Sequence, residues 1–365
     1  MRAIFYLVSL LWITLSAVVN GQYIFTDETR VPCTPVKSQA LTGTCWSFAS
    51  TSFLESEIIR NMHKEINLSE MYNVRMAYLE KAQNYILRQG KANFGEGGLA
   101  HDELYNVKEH GLMPLEAYTG LGNRDDSLDH RELSAVLKAT VDAVVSTQHP
   151  GRHWHDALIG ILDAYMGPVP ASFSYEGKTY DPMQFLHVVG INPDDYVSIT
   201  SFTHHPFYTS FILEIPDNYM NKSFFNVPLD DITGIIDAAL SKGYSVAWDG
   251  DVSEKGFSQK KGIAILPEGR FRDSMLVRHP AEMKVTQENR QENFMNYSTT
   301  DDHLMHLVGR AKDQDGNIYY IIKNSWGPMG PYKGYLYMSA AYLRMKTIAI
   351  TVHKSALPKE VADKR

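Results

Sequence analysis

Cysteine is nearly absent: Cys33 and Cys45 are the only two in 365 residues. That excludes a dense disulfide framework, and no Cys/His cluster has the spacing of a zinc site. A chain of this length buries a large core without such staples. An excess of basic charge is lacking too. The 35 basic and 42 acidic side chains leave a formal net charge of −7, which argues against a nucleic-acid groove and favours solubility. Beyond residue 21 no run is apolar enough to cross a bilayer. Internal repeats and low-complexity tracts are missing. His204-His205 and His153-x-His155 are isolated pairs and read as surface or loop residues, not metal ligands.

What the chain does have is concentrated around Cys45. The stretch Gln39-Ala40-Leu41-Thr42-Gly43-Thr44-Cys45-Trp46-Ser47-Phe48 puts a thiol at the mouth of an expected helix. Phe48, Phe53, Leu54, Ile58 and Ile59 recur at helical spacing, enough for a buried stripe. A thiol in a first helical turn meets unpaired N–H groups and the positive end of the macrodipole, which should lower its pKa. Gln39 carries an amide donor able to turn toward the same pocket. With the Cys45 N–H it would form an oxyanion hole. Cys33 reads as a small buried apolar residue, since pairing with Cys45 would abolish the nucleophile.

Far downstream, Asp302-His303 precedes an expected strand, Leu304-Met305-His306-Leu307-Val308, followed by Gly309. Alternation puts His303 and His306 on opposite faces, so only one can look at Cys45. Asp313-Gln314-Asp315-Gly316-Asn317 reads as a hairpin turn into a second strand ending near Asn324. The hairpin would return Asn324 beside His303, with its side-chain oxygen accepting Nδ1–H and leaving the other ring nitrogen for sulfur. Thiol, imidazole and amide in that order are the parts of a cysteine nucleophile, its base and the group that orients the base.

Three blocks resemble the papain-like cysteine peptidases: Pro35-Val36-Lys37-x-Gln39 through Phe48, Asp302-His303 through Gly309, and Lys323-Asn324-Ser325-Trp326-Gly327 through Gly334-Tyr335. The resemblance selects His303 over His306. It implies Cys45 as nucleophile, His303 as base, Asn324 as orienter and Gln39 as oxyanion donor, with Trp326 shielding the His–Asn bond. His303 follows Cys45 by 258 positions (303 − 45), far more than in ordinary papain relatives. The bleomycin hydrolase and aminopeptidase C branch fits better, with large, mostly helical insertions and no propeptide. Glu96-Gly97-Gly98, Tyr180 to Phe185, Asp195 to Thr200, Asn226 to Leu229 and Ala247 to Val252 resemble its segments. Gly97 and Gly98 resemble its substrate-backbone loop; a helix-entry turn is the alternative, and the three stronger blocks favour substrate contact. Asp249 and Asp251 either bind a substrate amine or form a solvated turn.

The fold implied is α+β, a papain-like two-lobe fold. A helical lobe spans mainly 40–120, an insertion about 120–235, and an antiparallel β-sheet or barrel lobe mainly 240–353, with the cleft between lobes. Met1-Arg2 and the apolar run through Val19, then Asn20-Gly21, read as a secretory signal peptide over 1–21. The mature protein is then expected outside the cell or in the periplasm, with no stable membrane association. Only 23 residues separate Gln22 from Cys45 (45 − 22), too few for an inhibitory prodomain. In the resembling aminopeptidases a C-terminal arm lies in the cleft and its carboxylate holds the substrate's amino group. Here the tail 354–365 is short, reaching about 35 Å at most when extended. Peptide substrates are implied, a homo-oligomer is compatible, and neither cofactor nor metal is called for. The expected activity is peptide hydrolysis, most simply as an aminopeptidase, with an oligopeptidase as the alternative that the short tail leaves open. A catalytically silent peptide-binding homologue and a thiol acyltransferase are the rivals.

Overall fold

A computed structural model describes residues 23–122 and 127–365. The expected signal peptide lies outside the described residues. The chain opens with β1 (Phe25–Arg30), then five helices: α1 (Cys45–Met62), α2 (Glu70–Leu87), α3 (Ala100–His110), α4 (Arg131–Ser146) and α5 (Trp154–Met166). A small hairpin, β2 (Phe173–Tyr175) and β3 (Lys178–Tyr180), leads to α6 (Pro182–Val189), β4 (Tyr196–Thr200), β5 (Ser210–Ile212) and β6 (Ser223–Asn226). Next come α7 (Leu229–Ser241), β7 (Val246–Gly250), β8 (Phe257–Ser258), β9 (Ile263–Ala264) and α8 (Gln287–Met295). The chain finishes with β10 (His303–Asp313), β11 (Ile318–Lys323), β12 (Tyr335–Ser339), α9 (Ala340–Lys346), β13 (Thr347–His353) and α10 (Lys359–Ala362).

One sheet carries the order β5-β6-β4-β13-β7-β10-β11-β12-β9-β8, with β1 paired to β10. The β10–β11 hairpin forms as its Asp-Gly turn predicts, and Gly316 takes the positive φ of 85° that the turn needs. Helix α1 packs on β10. It is buried on nearly every side from Cys45 to Ile58, including Glu55 and Glu57, rather than along one stripe. The sheet covers one side while α2 and α3 cover the other. One core fills the helical lobe around Trp46, Phe53, Tyr78 and Leu162, and a second lies in the β lobe around Trp248, Ile322 and Tyr342.

One expectation needs correction, and the short tail has a definite form. The insertion is not simply helical: its strands β4, β5 and β6 extend the main sheet through β13. Tyr196–Thr200 is buried at four of five positions, on both faces, as suits a strand inside the sheet. The tail is not an extended arm. It turns at Lys354–Ala356 and coils into α10, with Leu357 and Val361 packed into the β-lobe core. Arg365 lines a cavity with Tyr105, Lys108 and Asp194.

Candidate active site

Cys45 is the first residue of α1 and is 9% exposed. The loop before it is sewn to the loop after β11. The Gln39 N–H donates to the Ser325 carbonyl (2.8 Å), and the Gly327 N–H donates to the Lys37 carbonyl (3.1 Å). Gln39 is itself buried and doubly held. Its Nε2 donates to the Thr42 carbonyl (2.6 Å), and its Oε1 accepts from Ser325 Oγ (2.7 Å). One N–H of that amide remains for another acceptor.

His303 begins β10, and its Nε2 lies 2.8 Å from Asn324 Oδ1. The amide orientation is fixed independently. The Ser325 N–H donates to Asn324 Oδ1 (2.7 Å), and Asn324 Nδ2 donates to Gln259 Oε1 (2.9 Å). Oδ1 therefore accepts the imidazole Nε2–H. This corrects the expected use of Nδ1, because the ring enters from the strand end with Nε2 toward β11. Nδ1 is left as the acceptor. Trp326 lies over the ring, centroids 4.8 Å apart. His306 faces the other way, as alternation requires, with Nδ1 2.8 Å from Ser52 Oγ on α1. The Leu304 backbone approaches the Cys45 sulfur, so the thiol sits beside the residue that follows His303.

The electrostatics depart from the sequence reading. Burial pushes the Cys45 thiol up to about 12; the Leu304 backbone opposes this, while Asp301, Asp249 and Asp217 add to it. Desolvation and carboxylates thus outweigh the helix terminus. Burial likewise holds His303 down at about 4, against the pull of Asn324. Both groups are therefore neutral at neutral pH.

Gly97 and Gly98 sit against the start of α1. Trp46 Nε1 donates to the Glu96 carbonyl (2.9 Å), and the Gly43 N–H donates to Glu96 Oε2 (2.6 Å). A methyl on Gly98 would press on the Trp46 ring at 3.1 Å, and one on Gly97 would overlap the Asp217 carboxylate. Lys81 Nζ, buried beneath, donates to the carbonyls of Gly95 (2.9 Å) and Gly97. Asp249 and Asp251 are not a solvated turn. Both are buried, at 3% and 1% exposure, because β7 lies between β10 and β13. Asp251 accepts from Ser253 and Thr300 and pairs with Lys346 at 3.5 Å. Sequence reading missed Gln259, Lys81, Asp217 and Asp301, none of which stands in a recognisable motif.

Among the described residues, His204, His205 and Glu214 are the group whose ligand atoms approach closely enough for a metal. Hydrogen bonds already settle their roles. The Thr203 N–H donates to Gln291 Oε1, so Gln291 Nε2 must donate to His204 Nδ1. That leaves Nε2–H on His204, directed at Glu214 Oε2 (3.1 Å), with no lone pair for an ion.

Comparison with known proteins places this geometry. The Peptidase C1-like family matches residues 173–365, and the papain family cysteine protease description matches residues 25–178. Aminopeptidase G of Lactobacillus delbrueckii subsp. lactis is 22% identical, over 94% of this chain and 86% of its own length. Aminopeptidase W of the same organism is 24% identical, over 90% and 83%. The mitochondrial cysteine proteinase 1 of Saccharomyces cerevisiae is 22% identical, over 93% and 79%. The crystal structure of PepW from Lactobacillus rhamnosis shares the fold, with TM-score 0.73 at 19% identity over 93% of this chain and 84% of that one.

Proposed function

Because the chain belongs to the Peptidase C1-like family of papain-type cysteine peptidases, we propose that it hydrolyses peptides as an aminopeptidase through Cys45, His303 and Asn324. The observation that carries this reading is the His303 Nε2–Asn324 Oδ1 bond of 2.8 Å. It holds the tautomer whose Nδ1 can accept a proton. The relatives named aminopeptidase G and aminopeptidase W support the exopeptidase form.

The steps follow from the residues. The sulfur gives its proton to His303 Nδ1 and attacks the scissile carbonyl carbon. The oxyanion is met by the Cys45 N–H, in the first helical turn, and by the spare N–H of Gln39 Nε2. His303 then returns the proton to the leaving amine as the C–N bond breaks, leaving a thioester on Cys45. A water gives its proton to His303 Nδ1, attacks the thioester and releases the acid, and the sulfur recovers its proton. Trp326 keeps bulk water from the His–Asn bond, and Gly97 and Gly98 offer a backbone edge to the substrate.

Substrates are peptides, and the apolar run before Gln22 supports export to the exterior or the periplasm. The test is Cys45→Ala against wild type on aminoacyl and N-blocked fluorogenic peptides. Loss of turnover in Cys45→Ala, with wild type preferring free-amine substrates, is expected. Undiminished turnover in Cys45→Ala rejects the mechanism. Amine acceptors outcompeting water would point to acyl transfer instead.

A further inference from the structure

Three carboxylates act on the Cys45 sulfur, and they come from three separate parts of the chain: Asp217, Asp249 and Asp301. Asp217 belongs to the insertion and lies against Gly97, held by Asn93 Nδ2 at 3.0 Å. The residues just before it, Ile215 and Pro216, share a cavity of about 430 Å³ with Asp301, Phe294 and Tyr297. The segment Ile215-Pro216-Asp217 therefore bridges from the Gly97 side to the residues that precede His303. It forms a strap over one end of the site.

Beside that strap lie carboxyl oxygens without hydrogen-bond partners. Asp249 pairs with Leu304 in the β7–β10 register and is 3% exposed. Among the described residues neither of its carboxylate oxygens has a hydrogen-bond donor, and Asp301 Oδ2 has none either. The Asp249 carboxyl lies against that of Asp301, and two carboxyls can join only by sharing a proton. Burial holds both above the usual carboxylate range; Asp301 pushes Asp249 further up, while Asp217 pushes Asp301 up and the hydrogen bond with Asp249 pulls it back. The neighbouring cations are committed elsewhere: Lys81 to the carbonyls of Gly95 and Gly97, and Lys346 to Asp251 and Glu254. A buried Asp249 beside a half-buried Asp301, which lines the cavity, leaves unpartnered oxygens near the nucleophile for a cation that arrives with the substrate.

We propose that Asp249 and Asp301, roofed by the Ile215-Pro216-Asp217 strap, bind the substrate's ammonium group and so set cleavage after the first residue. This deepens the aminopeptidase reading and rests on it. An ammonium brings three donors for the unpartnered oxygens, and its positive charge favours the ionised form of the carboxyl pair. An α-amino group and a basic side chain share this chemistry. The α-amino group is the one assigned, in keeping with the aminopeptidase reading on which this rests.

The test is protection of Cys45 in the full chain against iodoacetamide by leucinamide, N-acetyl-leucinamide and N-acetyl-lysinamide. Leucinamide is expected to protect the wild type, and its protection constant to weaken at least about tenfold in Asp249→Asn and in Asp301→Asn, the scale of a hydrogen bond to a charged group. Equal constants in wild type and variants overturn the anchor. Protection by N-acetyl-lysinamide equal to that by leucinamide overturns the α-amino assignment. Melting curves check each variant. If Asp249→Asn does not fold, Asp301→Asn, at the half-buried member that lines the open cavity, carries the same expectation and the same refutation. A wild-type Cys45 that does not label defeats the peptidase reading and this proposal with it; labelling with unchanged protection defeats the anchor alone.

Discussion

An imidazole offers two nitrogens, and a buried amide decides which one is free. Asn324 accepts the Nε2–H of His303, and Asn324 is itself held by Gln259, whose Oε1 accepts from Nδ2 at 2.9 Å. Gln259 touches neither ring nor sulfur, so it is a positioning residue. Replacing it by Leu leaves the Asn324 N–H₂ without its buried acceptor, and rotation of the amide would then aim a donor at His303 Nε2. Gln259→Leu should lower kcat about tenfold with little change in KM, the size of one neutral hydrogen bond. Gln259→Glu keeps an acceptor oxygen and should recover part of the loss. A KM effect in place of a kcat effect would mean that Gln259 shapes the substrate groove instead. Sequence reading found Asn324 because Ser325, Trp326 and Gly327 surround it in one short block. It could not find Gln259, which stands 65 positions away with no local pattern around it.

At the scale of the element, the loop carrying Gly97 and Gly98 is fixed from both sides. Trp46 and Glu96 tie it to α1, Lys81 holds its carbonyls from below, and Asp217 presses on it from the insertion. Gly97 does not take a positive φ, so glycine is required there by space and not by backbone conformation. Gly97→Ala should cost about 1–3 kcal/mol through overpacking against Asp217. Adding Asp217→Ala should restore at least half of that, read as denaturant midpoints in a double-mutant cycle. Additive losses would show that the overlap relaxes elsewhere. Local chemistry made some elements readable: the Asp-Gly turn announced β10 and β11, and apolar spacing announced α1. The strands β4 and β6 were less readable as parts of the main sheet. They pair in parallel, and such pairing is joined through distant chain and leaves no turn signature.

For the molecule as a whole, the two lobes meet along α1, and the charges buried there join them. Lys37, from the loop before Cys45, reaches Glu55 on α1 (3.0 Å) and Glu70 at the start of α2 (2.5 Å). Lys323 at the end of β11 donates to Thr34 Oγ1 (3.1 Å) and to Ser52 Oγ (2.6 Å), and Ser52 meets His306 of β10. Burial works against the charge on Lys37, but Glu70 and Glu55 outweigh it and raise its pKa. Burial also raises Glu70, with Lys37 pulling it back and Glu55 pushing it further up. Lys37→Met removes the one cation bonded to both carboxylates, and breaking a buried pair from one side typically costs about 3–5 kcal/mol. The sign with pH follows. Without Lys37 the folded-state pKa of Glu70 rises further above its unfolded value, so the folded protein binds more protons than the unfolded chain as pH climbs past the ordinary carboxylate range. Stability then falls with rising pH. The deficit of Lys37→Met relative to wild type should therefore be larger at pH 8 than at pH 5, measured as urea midpoints at both. A deficit independent of pH would mean that the lysine contributes packing of its stem and not charge.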